Sequence, residues 1–387
     1  MNLFRTLILL LSVLCLSTCK KTNEVEVNST PTSFRQVFDS YWQNMNSHYV
    51  YWDRDTINWD NVYKKYAPLF DNLSINNVDD NLKAAGYFKQ IAANIIDCHY
   101  SITFQTSRLQ GTVINPALDR KMRSPGFHYP YSFLKADTGY LDKGYQVGYY
   151  TDPENSDDNF YITWGSIKKD ILYFNCDKFH LLKCYNATSN KGSAPAVLKS
   201  FLNVLNNMPA NIKGIIIDIR ENGGGDIADL NFLAGRLTDK PVIFGKTRYK
   251  SNAGRLDYTP WVNAVVSPQP VGNFKQKPVV VLADSFSASL SEAFAMAVHA
   301  MPKGLTVGET TFGATGPISD EAGFNGGPFT VNGFLSVAEA SAQFLYIDGK
   351  NYENTGFPPD VQVDFNAGQL NSNIDKQLEK AIEILSQ

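Results

Sequence analysis

KPVVVLADSFSASLSEAFAMAVHAM, residues 277–301, runs from a strand through a serine-rich turn into a helix without a break. Val279–Ala283 is a short, continuous aliphatic run, as expected of a strand covered on both faces. Glu292 follows Ser289 at the three-residue spacing of a capping box, and a small apolar helix pattern continues to Met301. Capping accounts for one hydroxyl and leaves Ser287 and Ser291 as neighbouring caps or packing groups. A serine hydroxyl at such a junction also lies where a helix N-terminus favours negative charge.

The same alternation extends on both sides. DILYFNC (170–176), IKGIIIDIR (212–220) and GLTVGET (304–310) read as strands, and APAVLKSFLNVLNNM (194–208) and DIADLNFLAGRL (226–237) as helices. This predicts an α/β domain from residue 166 to the end, with a largely parallel sheet covered on both faces. The strand ends at DIREN and LADSF are where such sheets carry their sites.

Upstream, Phe34, Val37, Phe38, Tyr41 and Trp42 recur at helical spacing, and two further amphipathic patterns follow, each preceded by Asp or Asn. They predict an N-terminal helical domain over 34–104, ending in IIDCHYSITF. Residues 105–165 form a β-rich intervening segment with polar turns. The opening MNLFRTLILLLSVLCLSTC has an apolar run, Leu7–Leu16, too short to span a bilayer and laid out as a secretory signal. Leu16-Ser17-Thr18-Cys19 resembles a bacterial lipobox with Cys19 as the lipidated residue. Residues 1–19 are then a signal, 20–33 a polar tether, and the bacterial cell envelope the expected location, periplasmic or at the cell surface, with the membrane reached through the lipid.

Of the 387 residues, 43% are hydrophobic and 19% charged, a globular composition. The net charge of −3 gives no electrostatic ground for a nucleic-acid partner. Beyond the signal stand Cys98, Cys176 and Cys184, with no metal-ligand spacing, so no metal or other cofactor is expected. Cys176 and Cys184 are candidates for a disulfide in an oxidising compartment.

Three glycines, Gly223–Gly225, follow the buried strand at 212–220. They suit a tight turn, a phosphate loop or an oxyanion hole; the phosphate reading lacks its Gly-Lys-Ser/Thr or second-glycine signature. Taken with the serine junction and with His99, the pieces resemble the C-terminal-processing (tail-specific) serine proteases and their tricorn-core relatives. IIDCHYS, GIIIDIRENGGG, VVVLADSFSASLSEAFAMAV, GLTVGETTFGATG and YENTGFPPDVQVD match that family's motifs in its order.

The resemblance implies a crotonase/Clp-like α/β core over 166–387, acting as a serine endopeptidase on peptides or unfolded proteins. It makes Ser289 the nucleophile, three residues before Glu292. The processing proteases take their base from a lysine in Phe-Gly-Lys-Gly, but here that position is Ala314, and a methyl group accepts no proton. Neither Lys303 nor Lys350 is placed to replace it. The tricorn-like branch uses a histidine, which maps to His99, with an acidic partner at Glu353; Glu309 is the rival acid. Imidazole suits proton transfer near neutrality. The oxyanion donors map to the amides of Gly224, or Gly223, and Leu290. His48, His128, His180 and His299 are read as structural. No peptide-carboxylate loop of the PDZ kind is visible in 105–165. The alternative is a non-catalytic binding protein on the same fold, which loss of the lysine would fit.

Overall fold

A computed structural model describes residues 30–151, 159–187, 192–252, 254–270, 277–319 and 324–387. The signal, the lipobox Cys19 and most of the tether lie outside these residues. No helix among the described residues is long and apolar enough to cross a membrane.

The three amphipathic patterns are helices Phe34–His48, Trp59–Asp71 and Val78–Ala92. Ser33, Asn58 and Asn77 cap them, each side chain accepting an amide of the first turn. Phe34, Val37, Phe38, Tyr41 and Met45 form the inner face of the first helix. Trp42 sits at its margin, exchanging indole-to-carbonyl hydrogen bonds of 3.0 Å with Trp59.

Strands follow as β1 (Ser101–Phe104), β2 (Val113–Ile114), β3 (Gln146–Thr151), β4 (Asn159–Ile167), β5 (Ile171–Cys176), β6 (Gly214–Asp218) and β7 (Val242–Tyr249). Then come β8 (Val262–Val266), β9 (Val279–Ala283), β10 (Gly304–Gly308), β11 (Phe329–Val331), β12 (Leu335–Ala338), β13 (Ala342–Tyr346) and β14 (Val361–Gln362). The central sheet has the order β14-β10-β9-β6-β5-β4-β3, parallel from β14 to β5 and antiparallel at β4 and β3.

Its two faces are sorted by the period-two geometry of strands. Ile215, Ile217, Val279 and Val281 face helices Ala194–Asn206 and Leu290–His299, while Ile216, Val280, Leu282 and Val307 face the C-terminal helix Lys376–Ser386. Every residue of β6 and β9 is buried, which is why those segments carry no polar alternation.

Two features differ from the divisions drawn on the sequence. The span 105–165 does not stand apart, because β3 and most of β4 extend the central sheet through a tight β4–β5 turn with Lys168 and Lys169 at φ of 51° and 63°. The N-terminal unit is not closed at residue 104 either. Its sheet, β11-β12-β1-β2, takes two strands from the stretch of chain between β10 and β14 of the central sheet, and Phe329, Phe334 and Leu335 join the aromatic cluster of the N-terminal helices. Amphipathic helices must bury their apolar faces on something, and here that something arrives late in the chain. Cys98, Cys176 and Cys184 are free, buried thiols, so the disulfide considered for Cys176 and Cys184 is not formed.

Candidate active site

The parallel strands β6, β9 and β10 end side by side, and the segments leaving them carry the residues singled out in the sequence. Ser289 precedes helix Leu290–His299 with φ of 56° and ψ of −118°, a conformation L-residues adopt only where their surroundings impose it. Glu292 supplies that constraint. Its carboxylate accepts the Ser289 amide (3.1 Å), the Thr311 hydroxyl (2.5 Å) and the amides of Gly313 (2.8 Å) and Ala314 (2.6 Å). The capping glutamate is thus also the clamp that docks TFGAT against the serine turn. Burial pushes its pKa up, to about 7, while those donors work in the opposite direction.

The neighbouring serines have other tasks. Ser287 is buried, donates to the Ile219 carbonyl (2.8 Å) and accepts the Asp284 amide (3.0 Å). Ser291, also buried, donates to Asn222 Oδ1 (2.9 Å). Asp284 Oδ1 accepts the amides of Glu221, Phe286 and Ser287, tying the end of β6 to the end of β9.

The glycine loop lies directly against the serine. Gly224 has φ of 103°, and a Cβ there would come within 2.8 Å of Ser289 Cβ and 2.9 Å of the Leu290 nitrogen. Gly225 is held as tightly on its other side, against the Phe179 carbonyl. The Leu290 amide is the first of its helix and has no intrahelical acceptor. The Gly224 amide donates to Asn222 Oδ1 (2.8 Å), and Asn222 is itself anchored through its Nδ2 to the Cys176 carbonyl (2.8 Å).

His99 and Glu353 come from opposite ends of the chain. Cys98 packs with Ala117, Ala288, Phe312 and Ala314, which brings the His99 turn against the segments flanking Ser289. Both ring nitrogens of His99 are buried and without a hydrogen-bond partner, and burial pushes the imidazole pKa down to about 4. No hydrogen bond joins His99 to Ser289 or to Glu353 among the described residues. Glu353 instead accepts the Cys98 amide on Oε1 (2.7 Å). Its Oε2 accepts the Tyr51 hydroxyl (3.0 Å), the Thr315 amide (2.8 Å) and hydroxyl (3.1 Å), and the Gly316 amide (2.9 Å).

Asp97 is buried beside this group, with Oδ1 on the His99 amide and Oδ2 on the Ala340 amide. Burial and the nearby Glu353 charge push its pKa up to about 8. The rival acid Glu309 pairs with His128 (3.0 Å), whose ring stacks on Phe365 at 3.8 Å. His128 Nε2 also lies 3.5 Å from Ser285 Oγ. Acid and hydroxyl meet the same ring nitrogen, so the imidazole has no second face with which to relay a proton between them.

His128 with Glu309 and His299 with Asp360 are partners separated by 181 and 61 residues, which sequence spacing does not reveal. Glu292 as a four-donor hub was visible only as a cap. No group of three or more metal-ligating side chains exists among the described residues.

Comparison with known proteins bears on this arrangement. The profile of peptidase family S41 matches residues 170–363, and that of the tricorn protease C1 domain matches residues 30–77. The tricorn protease of Thermoplasma volcanium is 26% identical over 176 residues, 46% of this chain and 15% of that protein. The tail-specific protease of Haemophilus influenzae is 30% identical over 117 residues, 30% of this chain and 15% of that protein. The matched stretches therefore span about one-seventh of these relatives. Among solved structures, a peptidase candidate from Parabacteroides merdae superposes with a TM-score of 0.67 at 20% identity, covering 92% of this chain and 97% of that one. Mature CPAF in complex with lactacystin gives 0.58 at 11% identity, covering 91% and 97%. At these identities the superpositions establish the fold.

Proposed function

We propose that this chain, which belongs to peptidase family S41, is a serine endopeptidase with Ser289 as nucleophile. The observation that carries the reading is the seat of Ser289: a left-handed backbone at a helix start, clamped by Glu292, with the glycine loop pressed against it. In this reading Ser289 Oγ attacks the peptide carbonyl. His99, a neutral imidazole at pH 7, takes the serine proton and returns it to the leaving amine, and water then releases the acyl-enzyme; the charge that burial disfavours on this ring is offset by the negative charge developing on the bound substrate. Catalytic hydrogen bonds are often long before substrate arrives, so the bond from Ser289 to His99 belongs to the loaded site.

Glu353 acts here as a positioning residue, fixing the His99 turn through the Cys98 amide. The Leu290 amide and that of Gly224 receive the oxyanion, the latter by exchanging its bond to Asn222; Gly223 is the other donor the loop offers.

Fluorophosphonate labelling tests the scheme. The wild type is expected to label at Ser289, Ser289→Ala not at all, and His99→Ala at least 100-fold more slowly, on the order set for a general base. Undiminished labelling of His99→Ala would falsify the histidine base. One observation favours a second reading, a peptide-binding chain without turnover: Ala314 stands at the lysine position and the ring of His99 has no partner. Its signature is an unlabelled wild type that still binds peptide.

The Leu16–Cys19 stretch supports a lipid-anchored envelope protein. Metabolic labelling with an alkynyl fatty acid is expected to mark the wild type and not Cys19→Ser; equal labelling of both removes the anchor.

A further inference from the structure

The geometry points to Lys121 as a receptor for a substrate carboxylate beside the scissile bond, an inference that rests on Ser289 being the nucleophile. Lys121 ends the short helix Pro116–Lys121, whose position is fixed from several directions. Asn115 caps it, Arg120 reaches the Ala93 carbonyl (3.1 Å) and Asn354 (2.9 Å), and Asp119 pairs with Lys89 (2.9 Å). Residues four apart share a helix face. On that face Ala117 packs with Cys98, Ala314 and Ala288, the residue before Ser289. One turn on, the Lys121 ammonium lies 4.4 Å over the Phe312 ring and donates to the Ser285 carbonyl (2.9 Å). Phe312 in turn is bonded to the Ser287 carbonyl (2.9 Å). The ammonium is therefore built into the wall of the serine turn.

Its charge is not consumed there. An ammonium has three donors, and among the described residues Lys121 donates to that one carbonyl alone. No carboxylate among the described residues lies within ion-pair distance of it. Glu292 and Glu309, whose charges act on Lys121 from a distance, are committed to the amides of the TFGAT loop and to His128. Burial lowers the lysine pKa while Glu292, Asp284 and Glu309 oppose that from a distance, which marks a partly dehydrated cation. A half-buried cation with free donors recovers its lost hydration when an anion supplies oxygens. A peptide offers a carboxylate from its free C-terminus or from an Asp or Glu side chain, and either chemistry fits.

Binding to Ser289→Ala, followed by fluorescence anisotropy of labelled decapeptides, tests this without requiring turnover. Three forms are compared: a neutral peptide with a free C-terminus, its C-terminal amide, and the amide carrying one Glu at successive positions. One of the carboxylate forms is expected to bind at least about tenfold more tightly than the neutral amide, the scale of a charge-assisted hydrogen bond. The form that does so names the source. That ratio is expected to collapse toward one in Lys121→Met, persist in Lys121→Arg and fall below one in Lys121→Glu.

A ratio near one with Lys121 intact, no binding of any form included, overturns the inference, as does a ratio that survives Lys121→Met. In hydrolysis assays, an equal loss of kcat on every peptide in Lys121→Met also overturns it, by placing the lysine in proton transfer instead. Fluorophosphonate labelling of the wild type reports on Ser289 independently, so failure of the protease reading and failure of the lysine assignment are separable.

Discussion

Ser289 is a residue whose candidacy was readable before its surroundings were. Serine, the spacing to Glu292 and the strand before it are all local, and local pattern is what a sequence displays. The conformation that seat demands was not readable: φ of 56° is imposed by Glu292 and by contacts from residues 311–314. Gly224 belongs to the same seat. A methyl group there would press on Ser289 Cβ at 2.8 Å and on the Leu290 nitrogen at 2.9 Å, and its φ of 103° disfavours any side chain. Gly224→Ala is therefore expected to lower fluorophosphonate labelling by about 100- to 1000-fold, the range for loss of one oxyanion donor. Labelling within a factor of a few of wild type would show that the loop takes no part. His99 was likewise legible as a candidate, but its unpartnered ring was not, and neither was the commitment of Glu353 to the Cys98 amide 255 residues away.

Among the elements, β6 shows most plainly what sequence does and does not reveal. GIIID announced a buried strand, and the strand is buried throughout. The arginine that follows it gave no sign of its partners. Arg220 is buried, bonded to Asp218 through Nε (2.9 Å) and Nη2 (2.5 Å) and to Asp375 through Nη1 (2.7 Å). Its Nη2 lies 3.3 Å from Asp137, and its guanidinium lies 3.8 Å from the Phe133 ring centroid. One cation thus fastens the segment before β3 and the capping aspartate of the C-terminal helix to the end of the sheet. Burial pushes the Asp137 pKa well up, and the neighbouring Asp218 and Asp375 charges add to that against the pull of Arg220. Removing the arginine leaves buried carboxylates uncompensated. Arg220→Met is expected to cost about 3–5 kcal/mol in urea denaturation. A loss below about 1 kcal/mol would mean that water or protonation replaces the cation without strain. Asp218 is two residues from Arg220, but Asp137 and Asp375 lie 83 and 155 residues away, beyond any periodicity.

For the molecule as a whole, the buried titratable groups set a direction for stability against pH. The carboxyls of Asp97 and Glu221 hold their protons to about 8 when folded, and Glu292 to about 7; burial is the main cause in each. The unfolded chain releases those protons near its ordinary carboxyl values, so the folded state binds more protons and loses stability as pH rises toward 8. His48 and His99, lowered to about 4, work in the opposite sense, but only below the ordinary imidazole value of about 6.5. In His128, burial opposes the charge but the Glu309 bond prevails and raises the pKa, so its contribution also fades as pH rises. Between about pH 6.5 and 8 these groups agree, and the melting temperature is expected to fall across that window. Glu221→Gln is expected to flatten the fall; a slope that the variant leaves untouched would locate the excess protons elsewhere. The pairing of β1 with β12 also orders the folding of the site. The strand that follows His99, Ser101–Phe104, pairs with Leu335–Ala338, so the segment carrying His99 is steadied by a strand that lies beyond Ser289 in the chain. The turn carrying His99 and the turn carrying Ser289 are therefore set against each other only once residues 335–338 have joined β1, so the proposed site is among the last parts of the fold to be assembled.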